Sequence, residues 1–108
     1  MDNVTINQLR AFVAVCDQGS FSGAAWELRR AQSTISHAIS ALESAFDVVL
    51  FERNTRKATL TTAGRSLLPD ARGVISRTEE VKMRAVAIAE AGSHRFRLRW
   101  IPIFRVRT

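Results

Sequence analysis

Residues 32–46 read QSTISHAISALESAF and carry two different faces of one predicted helix. Apolar side chains recur at steps of four, three and four, which places them on one stripe of an α-helix. Small polar side chains recur at the same steps on another side, with no Lys or Arg and no acid before Glu43. Solvated helix faces are usually rich in Lys and Glu, so this face is typical of one that lies against a polar partner. The stripe comprises Ile35, Ile39, Leu42 and Phe46, and the polar side comprises Gln32, Ser33, Ser36, His37, Ser40 and Ser44.

The composition limits the number of domains and the class of protein. With 108 residues, 46% of them hydrophobic, we expect one compact domain and an appendage. Residues 93–108 contribute five arginines and no acid to the net charge of +6. The net charge of residues 1–92 is therefore only +1. No run of 18 apolar residues is present, and we expect neither a transmembrane helix nor a signal peptide. The single cysteine argues against a disulfide framework and favours a cytoplasmic location.

Two helices are predicted before the central one. The first begins after Thr5 as N-cap and ends at Gly19, with Cys16 as a small core residue. The second is capped by Ser20 or Ser22 and reaches about residue 29. Only a turn of three residues or fewer then remains, which predicts a helix-turn-helix. Trp26 falls outside the second helix's apolar stripe; it either covers the edge of the core, which we prefer, or makes an exposed contact.

A β-hairpin is predicted after the central helix. Residues 48–51 and 58–61 are short β-prone runs around a polar tip. Such a hairpin is a wing, and its tip would carry Arg53, Arg56 and Lys57. The predicted fold class is therefore mainly α, a winged helix-turn-helix of three helices plus a β-hairpin wing over residues 1–61, followed by a long dimerisation helix.

That long linker helix is predicted over residues 62–92, with Thr61 or Thr62 as its cap and Gly92 as its end. Pro69 should bend the helix or delay its regular start. An unbroken alternation of steps of four and three forms a seam like that of a coiled coil. The seam either packs on the chain's own domain or pairs with a second chain. A helix of about 30 residues is about 45 Å long, too long for a small domain to cover, so we prefer a homodimer. The seam residues are Leu67, Ala71, Val74, Thr78, Val81, Ala85 and Ile88.

Residues 93–108 alternate arginine with apolar residues at first and fit a strand better than a helix. We interpret them as a basic tail, either a remnant of a further domain or a disordered end. Catalytic and metal motifs are not recognisable: the serines of the central helix have no identifiable base, and no metal or phosphate-loop pattern occurs. We therefore expect no enzyme, no cofactor and no metal.

Three stretches in this order resemble the N-terminal region of LysR-type transcriptional regulators: GSFSGAAWEL (19–28), QSTISHAI (32–39) and LFERNTRKATLTTAG (50–64). With the long helix, the resemblance covers about residues 5–92. It implies linker helices paired antiparallel in a dimer. It also implies a larger C-terminal domain of periplasmic-binding-protein type, outside these 108 residues, that would hold any small-molecule effector. Three positions depart from the family pattern at the start of the central helix: Ala31, Ser33 and His37.

Double-stranded DNA is the predicted partner, since the major groove accepts an α-helix and displays a distinct pattern for each base pair. The amide of Gln32 can pair with adenine, and Ser33, Ser36 and His37 lie within a turn of it as further base contacts. Ser40 is expected to meet phosphate. Arg53 is the favoured wing contact, or else it forms a salt bridge with Glu43 or Glu52. Ser20, Ser22 and Thr34 could add bonds to the DNA backbone, and Arg30 is a further contact. On the wing, Arg53 and Arg56 could reach phosphate or the minor groove, and Lys57 could reach phosphate.

The leading hypothesis is a regulator that reads an inverted-repeat promoter site as a homodimer. Two alternatives remain. One is a protein-interaction module that uses the seam of the linker helix, and the other is a non-specific basic binder that uses the arginine tail.

Overall fold

The computed structural model describes residues 3–53 and 57–100, with side chains up to residue 92. The chain divides into two compact units, residues 1–75 and 76–108, and the last helix passes through the division. None of the described helices has both the length and the apolar character needed to cross a membrane. The described helices are α1 (Ile6–Gln18), α2 (Phe21–Leu28), α3 (Gln32–Phe46) and α4 (Thr62–Trp100).

Helix α1 begins and ends where the sequence predicts. The Thr5 hydroxyl accepts a hydrogen bond from the Gln8 N–H at 3.1 Å, and the Gln8 side chain accepts one from the Thr5 N–H at 3.0 Å. This capping box satisfies two backbone donors that the helix itself leaves unpaired. Gly19 ends the helix in the left-handed conformation, with φ of 76°, which glycine adopts without steric cost.

The helix-turn-helix prediction is confirmed by α2 and α3. Ser20, rather than Ser22, caps α2, because its hydroxyl accepts a hydrogen bond from the Gly23 N–H at 2.9 Å. Arg29 ends α2 in the left-handed conformation, and the N–H of Arg30 donates to the Ala25 carbonyl at 3.0 Å. Since α3 begins at residue 32, only three residues separate the two helices.

The core of the first unit lies where α1, α2 and α3 meet the segment after α3. The apolar stripe of α3 faces inward as predicted, with Phe46 half-buried. The ring of Phe51 lies edge-on to the rings of Phe12 and Phe21, with centroids 5.7 Å apart in each pair. The largest fully buried side chains are Phe12, Val15, Ile35, Leu42 and Leu50.

The predicted β-hairpin is not present among the described residues, where a single antiparallel bridge joins Phe51 to Leu60. Backbone hydrogen bonds run from the Glu52 N–H to the Thr59 carbonyl, at 2.7 Å, and from the Thr61 N–H to the Leu50 carbonyl, at 3.0 Å. The predicted hydrogen-bonded ladder is longer than the observed one, because residues in both four-residue runs make other hydrogen bonds. The Leu50 N–H donates to the Glu43 carboxylate at 2.8 Å, and Thr61 caps α4. The tip residues 54–56, and with them Arg56, lie outside the described part of the chain.

Helix α4 starts in tight contact with this segment. The Thr61 hydroxyl accepts a hydrogen bond from the Gly64 N–H at 3.0 Å and so caps the helix. A Cβ atom on Gly64 would lie 2.4 Å from the Leu50 carbonyl oxygen, closer than such atoms approach. Glycine at residue 64 therefore allows α4 to begin directly against the segment that follows α3. The helix runs through Pro69, so the predicted delay in its start is wrong.

The first part of the predicted seam belongs to the core. Ala71 is only 4% exposed, and Leu67 packs half-buried against the same cluster. The Arg72 guanidinium makes two hydrogen bonds to the Asp17 carboxylate, at 2.7 and 3.4 Å, which ties this turn of α4 to α1. In the single chain the domain itself covers Ala71, and its place in a dimer interface stays a prediction.

The end of α4 also differs from the prediction. The helix continues through Gly92 to Trp100, so the backbone of residues 93–100 is helical and not strand-like. One interior glycine costs a helix only about 1 kcal/mol, and the Arg and Leu residues beyond it are good helix formers. Residues 101–108 lie outside the described part of the chain.

Candidate nucleic-acid interface

The polar side of α3 is fully presented to solvent. Gln32, Ser33, Ser36, His37 and Ser40 are all exposed, and the apolar stripe of the same helix is buried. The short side chains leave the helix backbone close to whatever lies against this face. The resulting surface offers amide, hydroxyl and imidazole groups, which can donate and accept hydrogen bonds without bringing a fixed charge.

The start of α3 is not capped by a side chain. Ala31 occupies the N-cap and makes no side-chain hydrogen bond, as predicted from its chemistry. The N–H groups of Thr34 and Ile35 donate to the Ala31 carbonyl, at 3.0 and 3.3 Å. The N–H groups of Gln32 and Ser33 precede the first complete helical turn. The positive end of the helix therefore lies beside the side chains that the sequence singled out.

A groove of about 620 Å³ brings the start of α3 together with α2. It places Ser22, Arg30 and Gln32, all predicted contacts, around one surface depression. Among the described residues, no carboxylate lines this groove. Trp26 also lines it and is 84% exposed, so the preferred prediction that this ring covers the core is wrong.

A second groove, of about 250 Å³, runs between α1 and the first turns of α3. Arg30 and Thr34, both predicted contacts, line it together with Asn7 and Arg10 of α1. Asn7 and Arg10 were not predicted from the sequence. Their spacing of three places them on one side of α1, and the packing of α1 beside α3 brings that side to the groove.

The segment after α3 holds Arg53 near the last turns of that helix. Arg53 and Ser40 line a third groove together with Glu43 and Asp47. The Arg53 guanidinium lies 3.9 Å from the Glu43 carboxylate, so the alternative of an ion pair with Glu43 is present as a loose contact. The Arg53 side chain nevertheless remains 73% exposed. The Glu43 side chain is the less exposed of the two, and its carboxylate also accepts a hydrogen bond from the Leu50 N–H.

Lys57 is exposed on the returning side of this segment. The N–H of the next residue, Ala58, donates to the Gly19 carbonyl at 3.2 Å. This bond places the Lys57–Ala58 peptide beside the turn that leads into α2. The backbone at Lys57 therefore lies close to the capped start of that helix.

The described residues contain no group of three or more His, Cys, Asp or Glu arranged to hold a metal ion. Cys16 is half-buried, and burial raises the pKa of its thiol to about 11, with Arg72 opposing part of that rise. A thiol with so high a pKa is a poor nucleophile at neutral pH.

Residues 6–65 match the family described as bacterial regulatory helix-turn-helix protein, lysR family. The chain belongs to this family. A relative from Mycobacterium leprae, named a probable hydrogen peroxide-inducible genes activator, is 50% identical over 88 residues, which are 82% of this chain and 27% of that protein. The chain thus spans about a quarter of the length of this LysR-family relative.

Two solved structures similar to this LysR-family chain contain DNA. The complex of the CbnR DNA-binding domain with DNA has a TM-score of 0.72 and 36% identity, covering 79% of this chain and 98% of that one. The complex of the BenM DNA-binding domain with its catB site 1 DNA has a TM-score of 0.75 and 32% identity, covering 79% and 94%. The relatives are regulators and DNA-binding domains, not enzymes, in agreement with the sequence-based prediction.

Proposed function

We propose that this chain is the DNA-binding portion of a LysR-type transcriptional regulator and that it reads bases with the first half of α3. The observation that carries the proposal is the exposed face of small polar side chains at the start of α3, bordered by guanidinium groups in a fold similar to DNA-bound domains. In a helix-turn-helix, the second helix enters the major groove and its N-terminal residues meet base edges.

Base reading is assigned to four residues. Gln32 can make two hydrogen bonds to adenine through its amide. Ser33, Ser36 and His37 lie within the next turn and a half, where their short or planar side chains reach base edges. His37 lacks the two-pronged guanidinium that matches guanine, so we expect an altered base preference at this position.

Phosphate contacts are assigned to the border of that face. Ser22 and Arg30 line the first groove, Thr34 lines the second, and Ser40 and Arg53 line the third. Side chains of these types supply most protein–DNA hydrogen bonds and set the register on the duplex without reading sequence. Lys57 adds a cation beside the start of α2, and Arg56 remains a prediction outside the described residues.

The exposed part of the α4 seam supports a homodimer. Val74, Val81, Ala85 and Ile88 are exposed in the single chain, and Thr78 is half-buried. Paired linker helices would present two copies of α3, and a two-fold dimer reads an inverted repeat with half-sites a whole number of helical turns apart. A larger effector-binding domain and the small molecule it holds are part of the proposal for the whole protein. Binding to chromosomal DNA would place that protein in the cytoplasm.

The test is selection of binding sites from a random duplex library, followed by anisotropy titrations on the recovered site and on an unrelated duplex. The double substitution Gln32→Ala and Ser36→Ala should lower affinity for the recovered site by roughly thirtyfold or more, about 2 kcal/mol, and leave the unrelated duplex unaffected. Ser44→Ala is the matched control, since Ser44 is exposed on the same polar side but is not a predicted contact. Selection that recovers no preferred sequence would refute the proposal.

The arginine tail provides the competing explanation and is tested in the same assay. A chain ending at residue 92 should still prefer the recovered site. Its affinity for the recovered site and for the unrelated duplex should fall by the same factor. If this truncation abolishes binding and the double substitution does not, the non-specific tail is the binding element.

A further inference from the structure

Trp26 is the most exposed large hydrophobic side chain among the described residues, at 84%. An indole ring usually buries a large apolar area, so a tryptophan left in solvent marks a contact surface more often than a shorter aliphatic side chain does. The core does not use this ring, since the buried side of α2 consists of Ala24 and Ala25. The function proposed above does not use it either.

The surroundings of Trp26 indicate the chemistry of its partner. The ring shares its groove with the guanidinium-bearing Arg29 and Arg30, with Ser22, and with Gln32 of the recognition helix. None of the described residues that line the groove is acidic, and the nearby Glu27 carboxylate accepts a hydrogen bond from the Gln18 amide at 3.2 Å. An apolar ring beside two cations fits a surface that has both apolar and anionic parts.

We propose that Trp26 packs against the sugar–phosphate backbone of DNA beside the bases that Gln32 reads. The indole face covers a deoxyribose, and its Nε1–H donates to a phosphate oxygen. This inference rests on the proposed function. Trp26 and Ser22 lie one turn apart on the same side of α2, and the first helix of a helix-turn-helix crosses the DNA backbone. The ring lies on α2 and not on α3, so it meets backbone rather than base edges.

A sugar–phosphate backbone matches the groove because deoxyribose is the apolar part of DNA and phosphate is its anion. Tryptophan joins a large apolar body to a single N–H donor and has no acceptor, which suits that pair of groups. A docking protein would have to supply carboxylates for both arginines as well as an apolar site. The groove also continues directly to Gln32, so any DNA against the start of α3 borders it.

The fluorescence of Trp26 gives a direct test. The chain has two tryptophans, so Trp100→Phe leaves Trp26 as the only one. This variant is titrated with a fluorescein-labelled duplex, either the selected site or an unrelated duplex at low salt. DNA anisotropy and quenching of Trp26 by acrylamide are recorded on the same sample. Acrylamide is neutral, so the charge of DNA does not repel it. We expect quenching of Trp26 to fall severalfold as the anisotropy saturates.

The two readouts separate the two proposals. Anisotropy that never rises would refute DNA binding itself. Anisotropy that saturates while Trp26 stays as accessible as in the unbound chain would overturn the backbone contact alone and leave the ring as a surface for a protein.

Affinity measurements give an independent check. Trp26→Ala should weaken binding by about tenfold or less on selected and unrelated duplexes alike, because a backbone contact carries no sequence information. The slope of log K against log salt should stay unchanged, whereas Arg30→Ala should reduce it by about one. Trp26→Phe keeps an aromatic ring but lacks the N–H, so its affinity for DNA should lie between that of the parent and that of Trp26→Ala.

Met83→Ala removes another exposed apolar side chain and should leave affinity unchanged. Thermal unfolding of Trp26→Ala should match that of the parent, since the ring is outside the core. A change in base preference with Trp26→Ala, or an affinity equal to the parent's, would contradict the assignment.

Discussion

Two exposed helix faces of this chain have opposite chemistry. The first half of α3 presents amide, hydroxyl and imidazole groups, and α4 from Val81 to Ile88 presents aliphatic side chains. In a single chain both faces are simply exposed. The polar face is hydrogen-bonded to water, and in the proposed complex it would exchange those bonds for bonds to base edges. The aliphatic face gains by leaving water, at about 25 cal/mol for each Å² buried.

The difference shows that exposure alone does not identify a binding surface. Polar groups on a rigid helix give specificity, because a mismatched partner leaves donors and acceptors unpaired. Aliphatic groups give affinity without such selectivity, and a regular spacing is what restricts them to a partner helix. The α3 face therefore predicts a sequence-reading contact, and the α4 seam predicts self-association.

The largest effect is expected from a charge placed in the seam. Val81 is 52% exposed in the single chain, and Val81→Glu would bury an unpaired carboxylate in each half of a dimer. An uncompensated buried charge costs about 3 kcal/mol or more, so the dimer should dissociate to monomers. Light scattering and sedimentation measure the mass.

Met83→Glu is the matched control, because position 83 is turned about 200° around the helix from position 81. Met83 is 71% exposed, so a carboxylate there should leave the mass of the parent unchanged. A dimer that survives Val81→Glu and dissociates with Met83→Glu would move the interface to the other side of α4.

The next effect tests how firmly α4 joins the domain that carries α3. Gly64→Ala would place a methyl group 2.4 Å from the Leu50 carbonyl oxygen and 2.7 Å from a Leu60 methyl carbon. Forcing an atom into packed backbone costs about 2 kcal/mol, so the denaturation midpoint should fall. Chemical denaturation followed by circular dichroism gives the free energy of unfolding.

Gly73→Ala makes the same change in the same helix at a site with no atom within 4 Å of the new Cβ. It should raise the free energy of unfolding by up to about 1 kcal/mol, through helix propensity alone. If both substitutions stabilise the chain, the close approach of α4 to Leu50 is not present in solution.

The smallest effect is expected from the turn of α4 where its contacts with the core end and its seam becomes exposed. Arg72→Ala removes the two hydrogen bonds to Asp17, but the pair is nearly half exposed, so the free energy of unfolding should fall by less than about 1 kcal/mol. It also removes the cation that lowers the pKa of Cys16, so that pKa should rise above about 11. Thiolate absorbance against pH measures this shift.

The same pKa sets a pH dependence. The Cys16 thiol ionises near 9 when unfolded and near 11 when folded, so the stability it contributes is present below pH 9 and is lost between pH 9 and 11. Cys16→Ala should flatten that decline. A Cys16 that titrates near 9 in the folded chain would contradict the half-buried placement of the thiol.

Most of the helical architecture was predictable because its signals are local. Thr5, Gly19 and Ser20 mark helix ends through hydrogen bonds and dihedral angles that involve residues only a few positions away. The two faces of α3 follow from periodicity, and the exposed candidates on it could be named from spacing alone. The candidates that were missed, Asn7 and Arg10, lie on another helix and reach the site only through the crossing of α1 and α3.

The sequence by itself determined the helix-turn-helix, the polar face of α3 and the apolar repeat of α4, since each depends on spacing within one helix. The tertiary structure decided which parts of those repeats are exposed. Ala71 and Val81 both belong to the seam, yet one is buried against the domain and the other is open, because the core reaches only the first turns of α4. Trp26 lies outside because Ala24 and Ala25 already fill the contact of α2 with its neighbours. Whether a side chain is buried depends on which residues of other elements pack against it. The periodicity of a single helix does not contain that information.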